Sequence, residues 1–482
     1  MQAFTRRDLF AGGAGLLLSG AAARHALARL GAADALAATD EKVQRFVSRP
    51  DLKPPTMTVV QPAHGTAPGL VFLAPSSGPG RRGAMIFDDA GDLVWFRPVT
   101  HKTVTDFKVG TFRGKPVLTW WEGKVVHGLG DGEWVVLDSS YLELARFSAA
   151  HGRRGDLHEL VITSVDTALV TRNETVAWNL TSVGGSRRGQ VVGGVVQELA
   201  LPSGRLIWEW RSLEHVAVDE TEIRGKPGAR FDYFHINSID VAPDGNLIVS
   251  ARNTWAAYKV SRHTGRILWR LGGKRSDFTL GTGARFEWQH DVREHAHGLV
   301  SLFDNAAAPQ EGPQSRALLL ALDTKRRHAS VQHAYTHRPD RVLSHFLGNA
   351  QMLGNGDVFV GWGGAQYVTE FTRSGAIAFD ARLPHGGQSY RAFRFPWVGR
   401  PIDRPTVAAR AHVLHASWNG ATEVASWQLL QGASASDLQS SPPVPRTGFE
   451  TMLPLAPQTR RAAVVALDRS GAPLGTSATL DL

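Results

Sequence analysis

The chain has 482 residues, of which 43% are hydrophobic and 20% charged, with a net charge of +9. That balance excludes a disordered chain, and the absence of cysteine excludes disulfides, thiolate-held zinc and a thiol nucleophile. The basic residues are scattered rather than clustered, so the charge suits small anions and nucleic acid is not expected as a partner.

In chain order, residues 1–40 read as a twin-arginine export signal and spacer. Thr5-Arg6-Arg7-Asp8-Leu9-Phe10 precedes an apolar, small-residue run from Leu9 to Ala23, and A-x-A cleavage sites occur at Ala26-Leu27-Ala28 and Ala35-Leu36-Ala37. The run is too short and too rich in glycine and alanine to span a bilayer comfortably. The expectation is an exported protein, extracellular or in the cell envelope. It would meet the twin-arginine machinery in transit and keep no stable membrane insertion after cleavage.

From residue 41 to 400, short apolar runs alternate with Gly, Asp and Pro turns, which predicts an all-β region. Expected strands include Gly69–Leu73, Ala84–Phe87, Val117–Trp121, Glu159–Val165, Thr167–Thr171 and Gly194–Leu201. A weak repeat runs through them. Gly91-Asp92-Leu93-Val94-Trp95 resembles Gly204-Arg205-Leu206-Ile207-Trp208 and Gly265-Arg266-Ile267-Leu268-Trp269, and less closely Gly375-Ala376-Ile377-Ala378-Phe379. A second class of turn recurs at Pro243-Asp244-Gly245-Asn246 and Gly354-Asn355-Gly356-Asp357. Irregular strand–turn units of this kind predict a β-propeller of about six blades. After a Pro-rich linker at Arg400–Pro405, residues 401–482 show short alternating strands. They predict a β-sandwich resembling a fibronectin type III module, with an accessory role.

Chemistry-bearing residues concentrate in four segments. His158 lies in Gly155-Asp156-Leu157-His158-Glu159, His235 in Asp232-Tyr233-Phe234-His235-Ile236-Asn237-Ser238, Arg252 in Ser250-Ala251-Arg252-Asn253, and His290 in Phe286-Glu287-Trp288-Gln289-His290-Asp291. Imidazole can act as nucleophile or acid/base near neutral pH, and a guanidinium fork matches the oxygens of sulfate, phosphate or carboxylate. In a propeller the inner strands gather such residues around one channel, so His158, His235, Arg252 and His290 are expected to meet at one mouth. Trp288, Phe286, Tyr233, Phe234 and Trp255 could stack on a ring, or serve only in blade packing. His127, His215, His263, His295, His297 and His345 read as surface or structural, and His295-Ala296-His297 offers too few ligands for a metal.

Taken together these motifs resemble the bacterial aryl sulfotransferases that do not use phosphoadenosine phosphosulfate, in an actinobacterial-like branch. The resemblance rests on Trp288-Gln289-His290-Asp291, His235–Ser238, Ser250–Asn253 and Leu157-His158-Glu159. Leu302-Phe303-Asp304-Asn305, Gly348–Met352 and Gly361-Trp362-Gly363 add to it. It implies a six-bladed propeller that moves a sulfuryl group from an aryl sulfate to a phenol by a ping-pong mechanism, with no cofactor. By that similarity His290 is the nucleophile, His235 and Arg252 hold the sulfuryl oxygens, and His158 assists. Asn253, Trp288, Asn237 and Tyr233 would contact substrate. The chain lacks the cysteines of some members and the large N-terminal sandwich of the enteric type. Two other readings stand beside this one. A non-catalytic propeller could bind a ligand or an envelope partner, and a quinoprotein dehydrogenase would explain the Gly-x-aliphatic-aliphatic-Trp repeats, though its usual vicinal Cys pair is missing.

Overall fold

The computed structural model describes residues 42–225 and 230–482, and in it the chain is all-β. The export-signal reading of residues 1–40 lies outside the described residues. Val43–Leu482 forms one compact unit. Among the described residues no helix is long and apolar enough to cross a membrane.

The sequence repeat marks a position in a sheet. Gly91, Gly204, Gly265 and Gly375 take φ of +82°, +70°, +72° and +91°, a region that only glycine enters at little cost. Each turns the chain into the fourth strand of a sheet: Leu93–Pro98, Arg205–Arg211, Ile267–Gly272 and Ile377–Arg382.

Six sheets succeed one another, each built around an antiparallel run of four strands. The first holds Leu70–Ser77, Gly83–Phe87 and Leu93–Pro98, and is completed by Gln388–Phe395 from much later in the chain. The second is Thr103–Phe112, Lys115–Val126, Leu129–Leu137 and Glu143–Phe147; the third begins at Leu160–Ile162 and continues through Thr167–Trp178 and Gly189–Ala200. The fourth runs from Ile236–Val241 to Ile267–Gly272, the fifth from His290–His295 to His328–Tyr335, and the sixth from Asn349–Met352 to Ile377–Arg382. The expected strand Glu159–Val165 shortens to Leu160–Ile162. The Thr163 amide donates to the Thr167 carbonyl at 2.8 Å and turns the chain early.

A separate apolar core fills each gap between neighbouring sheets. Phe107 and Trp120 of the second sheet meet Phe72 and Trp95 of the first, and Trp121 and Trp134 meet Val170 and Leu199 of the third. Val196 and Trp210 meet Tyr258 of the fourth sheet, Ile248 and Trp269 meet Val300 and Leu320 of the fifth, and Phe303 and Tyr335 meet Phe371 of the sixth. Phe359 and Phe379 of the sixth then pack on Leu73 and Met85 of the first. The cores return to their starting point, so the sheets form a closed, propeller-like ring.

Six inner segments face the axis of that ring, and their early residues line one hollow while their later residues line another. Thr103 and Thr105, Leu157 and His158, His235, His290, Leu347, and Gln388 and Tyr390 line the first. Lys108–Gly110, Leu160–Ile162, Asp240–Val241, Asp291 and Arg293–His295, Ala350–Met352, and Phe393 and Phe395 line the second. Between them lies a cluster of buried charges. Arg391 pairs with Asp106 at 2.8 Å and Glu159 at 2.9 Å, and Arg293 pairs with Glu159 at 2.6 Å and Asp291 at 2.5 Å. Lys108 joins Asp106 at 2.8 Å and also contacts Glu159. Burial alone would raise the Glu159 carboxyl, but Arg293, Arg391 and Lys108 hold it well below its usual range.

The C-terminal region forms two further sheets, one on Thr406–Arg410, Val413–Ser417 and Glu450–Pro454, the other centred on Ser426–Gly432 and Arg461–Leu467. Leu414, Trp427, Leu453 and Val464 make their shared core. Asn419 docks this region on the first sheet by accepting from the Phe96 amide at 2.9 Å and donating to its carbonyl at 3.0 Å.

Removing one partner of a buried ion cluster leaves the others desolvated and unpaired, at a cost of about 3–5 kcal/mol. Arg391→Ala is expected to lower unfolding free energy by that order in chemical denaturation, because its side chain is fully buried between Asp106 and Glu159.

Candidate active site

His158, His235, Arg252 and His290 all line one hollow of about 460 Å³. Ser76, Thr103, Thr105, Val125, Gly128, Phe346, Leu347, Gln388 and Tyr390 complete its walls.

His290 opens the inner strand of the fifth sheet and is 2% exposed. Its Nδ1 faces the side-chain oxygen of Asn305 at 2.7 Å and the Trp288 carbonyl at 3.1 Å. The Asn305 amide hydrogens are committed to the carbonyls of Ser344 at 3.0 Å and Leu347 at 2.9 Å. Oδ1 of Asn305 can therefore only accept, so Nδ1 of His290 carries the hydrogen and Nε2 keeps a free lone pair. Burial, and then the nearby Arg252 cation, push the ring well below the ordinary histidine pKa. His290 is thus an uncharged imidazole at neutral pH, the form a nucleophile requires.

The other two histidines are held by carboxylates. Nδ1 of His158 contacts Asp156, and Nδ1 of His235 lies 2.5 Å from Asp232. Their ring centroids are 5.0 Å apart in an edge-to-face arrangement. Asp156 is fixed in turn by the Gly130 amide at 2.7 Å and the Asn173 side chain at 2.8 Å. Burial would raise Asp156, yet the His158 ring and the Gly130 amide hold its carboxyl below the ordinary value. Both rings direct Nδ1–H into a carboxylate, which frees Nε2 to carry or accept a proton.

Arg252 opens a short turn after the second strand of the fourth sheet. Its amide and that of Asn253 donate to the carbonyls of His235 and Phe234, so the arginine and His235 are tied together through the backbone. The guanidinium lies over the Trp288 ring, 4.5 Å from its centroid, and makes no salt bridge among the described residues. Burial pushes its pKa down to about 10, so it remains a cation without a carboxylate. His235, Trp255, Trp288 and Asp291 hold φ of +53°, +51°, +58° and +56°, a costly region for non-glycine residues. His235 lines the hollow itself, and Trp288 and Asp291 flank His290 in the chain, so the backbone beside both histidines is constrained.

The residues expected to contact substrate fall differently. Trp288 backs Arg252 and donates Nε1–H to the Pro309 carbonyl at 3.1 Å. Asn253 accepts from Arg252 at 3.2 Å and donates to the Asp232 carbonyl at 2.7 Å. Asn237 donates to the Gln289 carbonyl at 2.6 Å, beneath the hollow rather than along its wall. Tyr233 is a correction: it packs fully buried in the core between the third and fourth sheets and donates to the Val216 carbonyl at 3.1 Å. Phe234 and Phe286 are likewise core residues. Reading the sequence missed Asp156, Asp232 and Tyr390, although both aspartates stand within three residues of their histidines. A larger hollow of about 910 Å³ gathers Asp88, Asp92, Arg446 and Asp468. It holds no imidazole, and Asp88 and Asp468 are spent on the amides of their own turns.

The arylsulfotransferase (ASST) family model matches residues 108–383. The chain belongs to the arylsulfotransferase family. All four hollow-lining candidates fall within the segment shared with other arylsulfotransferases, whereas Thr103, Thr105, Gln388 and Tyr390 lie outside it. No curated protein sequence matches this arylsulfotransferase. Similar solved structures include a protein of unknown function from Bacteroides caccae, at 12% identity and TM-score 0.43, covering 67% of this chain and 98% of that one. An inactive variant of virginiamycin B lyase from Staphylococcus aureus with quinupristin is 7% identical at TM-score 0.37, covering 76% and 97%. The periplasmic gluconolactonase of Pseudomonas aeruginosa is 10% identical at TM-score 0.35, covering 86% and 96%.

A depressed His290 pKa has a signed consequence for stability. Below the ordinary value of 6.5 the unfolded chain binds a proton that the native ring refuses, so this term weakens the fold as pH falls. Relative to His290→Gln, the native protein is expected to lose up to about 1.4 kcal/mol per pH unit below that value, read by denaturant unfolding at pH 7 and pH 5.

Proposed function

We propose that this protein is an aryl sulfate:phenol sulfotransferase working by a ping-pong mechanism through a sulfohistidine on His290. The observation that carries the reading is a buried, uncharged His290 beside an unpaired Arg252 in one hollow. An aryl sulfate places its sulfuryl oxygens against Arg252 and His235, as an anion would be drawn to them. Nε2 of His290 attacks sulfur, and the bond from sulfur to the aryl oxygen breaks with its electron pair on that oxygen. His158 supplies the proton that makes the departing phenol neutral. The sulfated ring keeps its Nδ1 proton, shared with Asn305 and the Trp288 carbonyl.

In the second half, an acceptor phenol gives its proton back to His158 as its oxygen bonds to sulfur. The N–S pair returns to His290. Charge in both transition states is spread over oxygens, so fixed donors and cations matter most. No cofactor enters either half. Asn253 and Trp288 act by holding Arg252.

The same reading takes the ring as a six-bladed propeller of residues 41–400, with a fibronectin type III-like sandwich of residues 401–482 as accessory module. Residues 1–40 would be the twin-arginine signal that exports it. Aryl sulfates and phenols are its partners.

Brief exposure to 4-nitrophenyl sulfate is expected to add one sulfuryl group to the intact mass, mapped to His290 by digestion. His290→Ala should abolish both the adduct and transfer; turnover retained in that variant removes the nucleophile. Arg252→Met is expected to lower kcat by about 100- to 1,000-fold, the usual effect of one preorganised donor.

A further inference from the structure

The hollow has two chemically different sides. The third, fourth and fifth sheets contribute its imidazoles and guanidinium, while the first and second contribute Ser76, Thr103, Thr105, Gln388 and Tyr390, with no cation or carboxylate among them and with the Tyr390 hydroxyl donating to the Asn237 carbonyl at 3.1 Å. On this neutral side Thr105 is spent, donating to the Leu157 carbonyl at 2.7 Å, and Ser76 donates to the Gln388 carbonyl at 3.3 Å. The Thr103 hydroxyl and the Gln388 carboxamide face the hollow and make no hydrogen bond to a described residue. The same hollow is lined by two partly exposed apolar groups: Val125 near the tip of the hairpin of the second sheet, 39% exposed, and Phe346, 46% exposed. Phe346 belongs to a segment that is tied down. The carbonyl of Ser344 accepts from Asn305, the Phe346 carbonyl from the Gly364 amide, and the Gly348 amide donates to Tyr390. A hollow lined by apolar groups, by imidazoles and a guanidinium from some sheets and by two unused polar side chains from others, suits a flat ring that is polar at both ends.

We infer that Gln388 and Thr103 are specificity-determining residues, and that the preferred acceptor is an uncharged arene bearing a second hydroxyl. The ring sits between Val125 and Phe346. One hydroxyl meets the sulfated His290, and the other meets the Gln388 carboxamide and the Thr103 hydroxyl. This rests on the sulfuryl-transfer reading. During transfer the first hydroxyl loses its proton to His158 as the O–S bond forms and the N–S bond breaks, and the second hydroxyl stays intact. Charge sets the rest of the preference. Among the described residues no carboxylate lines the hollow, so an ammonium group on the acceptor finds no counter-ion there. A carboxylate on the acceptor would be drawn to Arg252 and block the sulfuryl position.

The test uses the whole protein, 4-methylumbelliferyl sulfate as donor, and phenol, resorcinol and tyramine as acceptors. The readout is the ratio of kcat/KM for resorcinol, per hydroxyl, to that for phenol. One added neutral hydrogen bond gives an expected ratio of about three- to tenfold, with tyramine below phenol. In Gln388→Leu and Thr103→Val the ratio should fall toward one. A native ratio of one, a tyramine rate above that of resorcinol, or an unchanged ratio in both variants overturns the inference. The native ratio needs no variant, and Thr103→Val carries the test should Gln388→Leu not fold. Release of 4-methylumbelliferone before any acceptor is added reports the donor half alone. Its absence in the native protein would overturn the sulfotransfer reading itself, an outcome distinct from a lost acceptor preference.

Discussion

Arg391 is the pin of the molecule. It reaches from the closing strand of the first sheet to Asp106 of the second, Glu159 at the edge of the third, and the Asn237 carbonyl of the fourth at 2.9 Å. Arg293 of the fifth sheet joins through Glu159, and Asp291 accepts from the Ala350 amide of the sixth at 3.2 Å. Every sheet in the ring therefore touches one buried network of charge. In a low-dielectric interior such a network tolerates little displacement, because each unpaired member is costly. The apolar cores fix neighbouring sheets to one another, and the network fixes all of them to a common axis.

The site inherits its geometry from that pin. His158 immediately precedes Glu159, His290 immediately precedes Asp291, and Tyr390 immediately precedes Arg391. Side chains alternate along an extended chain, so a residue anchored in the network fixes its neighbour's direction on the opposite side. The left-handed conformation at Asp291 adjusts this for His290. The polar groups that would react are thus each one peptide unit from the charges that hold the ring together. The histidines need only local partners (Asp156, Asp232 and Asn305) to set which nitrogen bears hydrogen.

Much of this was legible in the sequence. Turn glycines recurring at irregular spacing ahead of aliphatic and aromatic runs predicted an all-β chain with repeated sheets, because a left-handed turn leaves few alternatives to Gly. Histidines at the starts of expected inner strands, with one arginine just after another strand, led to the four residues now seen around one hollow. The ring contacts did not follow so easily. Tyr233 is adjacent to the site in sequence but lies in a core, since the left-handed conformation at His235 breaks the alternation that would otherwise put residues two apart on one face. Gln388 and Tyr390 lie 98 and 100 residues beyond His290, and only the closing of the ring brings them near it. No local pattern records a contact of that range.

The first sheet is made from both ends of the ring, with Leu73 opposite Ala392. Gln388, Tyr390 and Arg391 arrive on that last strand, so the hollow has no floor and the charge network no pin until nearly 400 residues have been made. A partial chain therefore presents its histidines without the cavity that makes them useful. Assembly is all-or-none in its effect on chemistry: the strand that locks the circle is the same one that finishes the place where a substrate can rest.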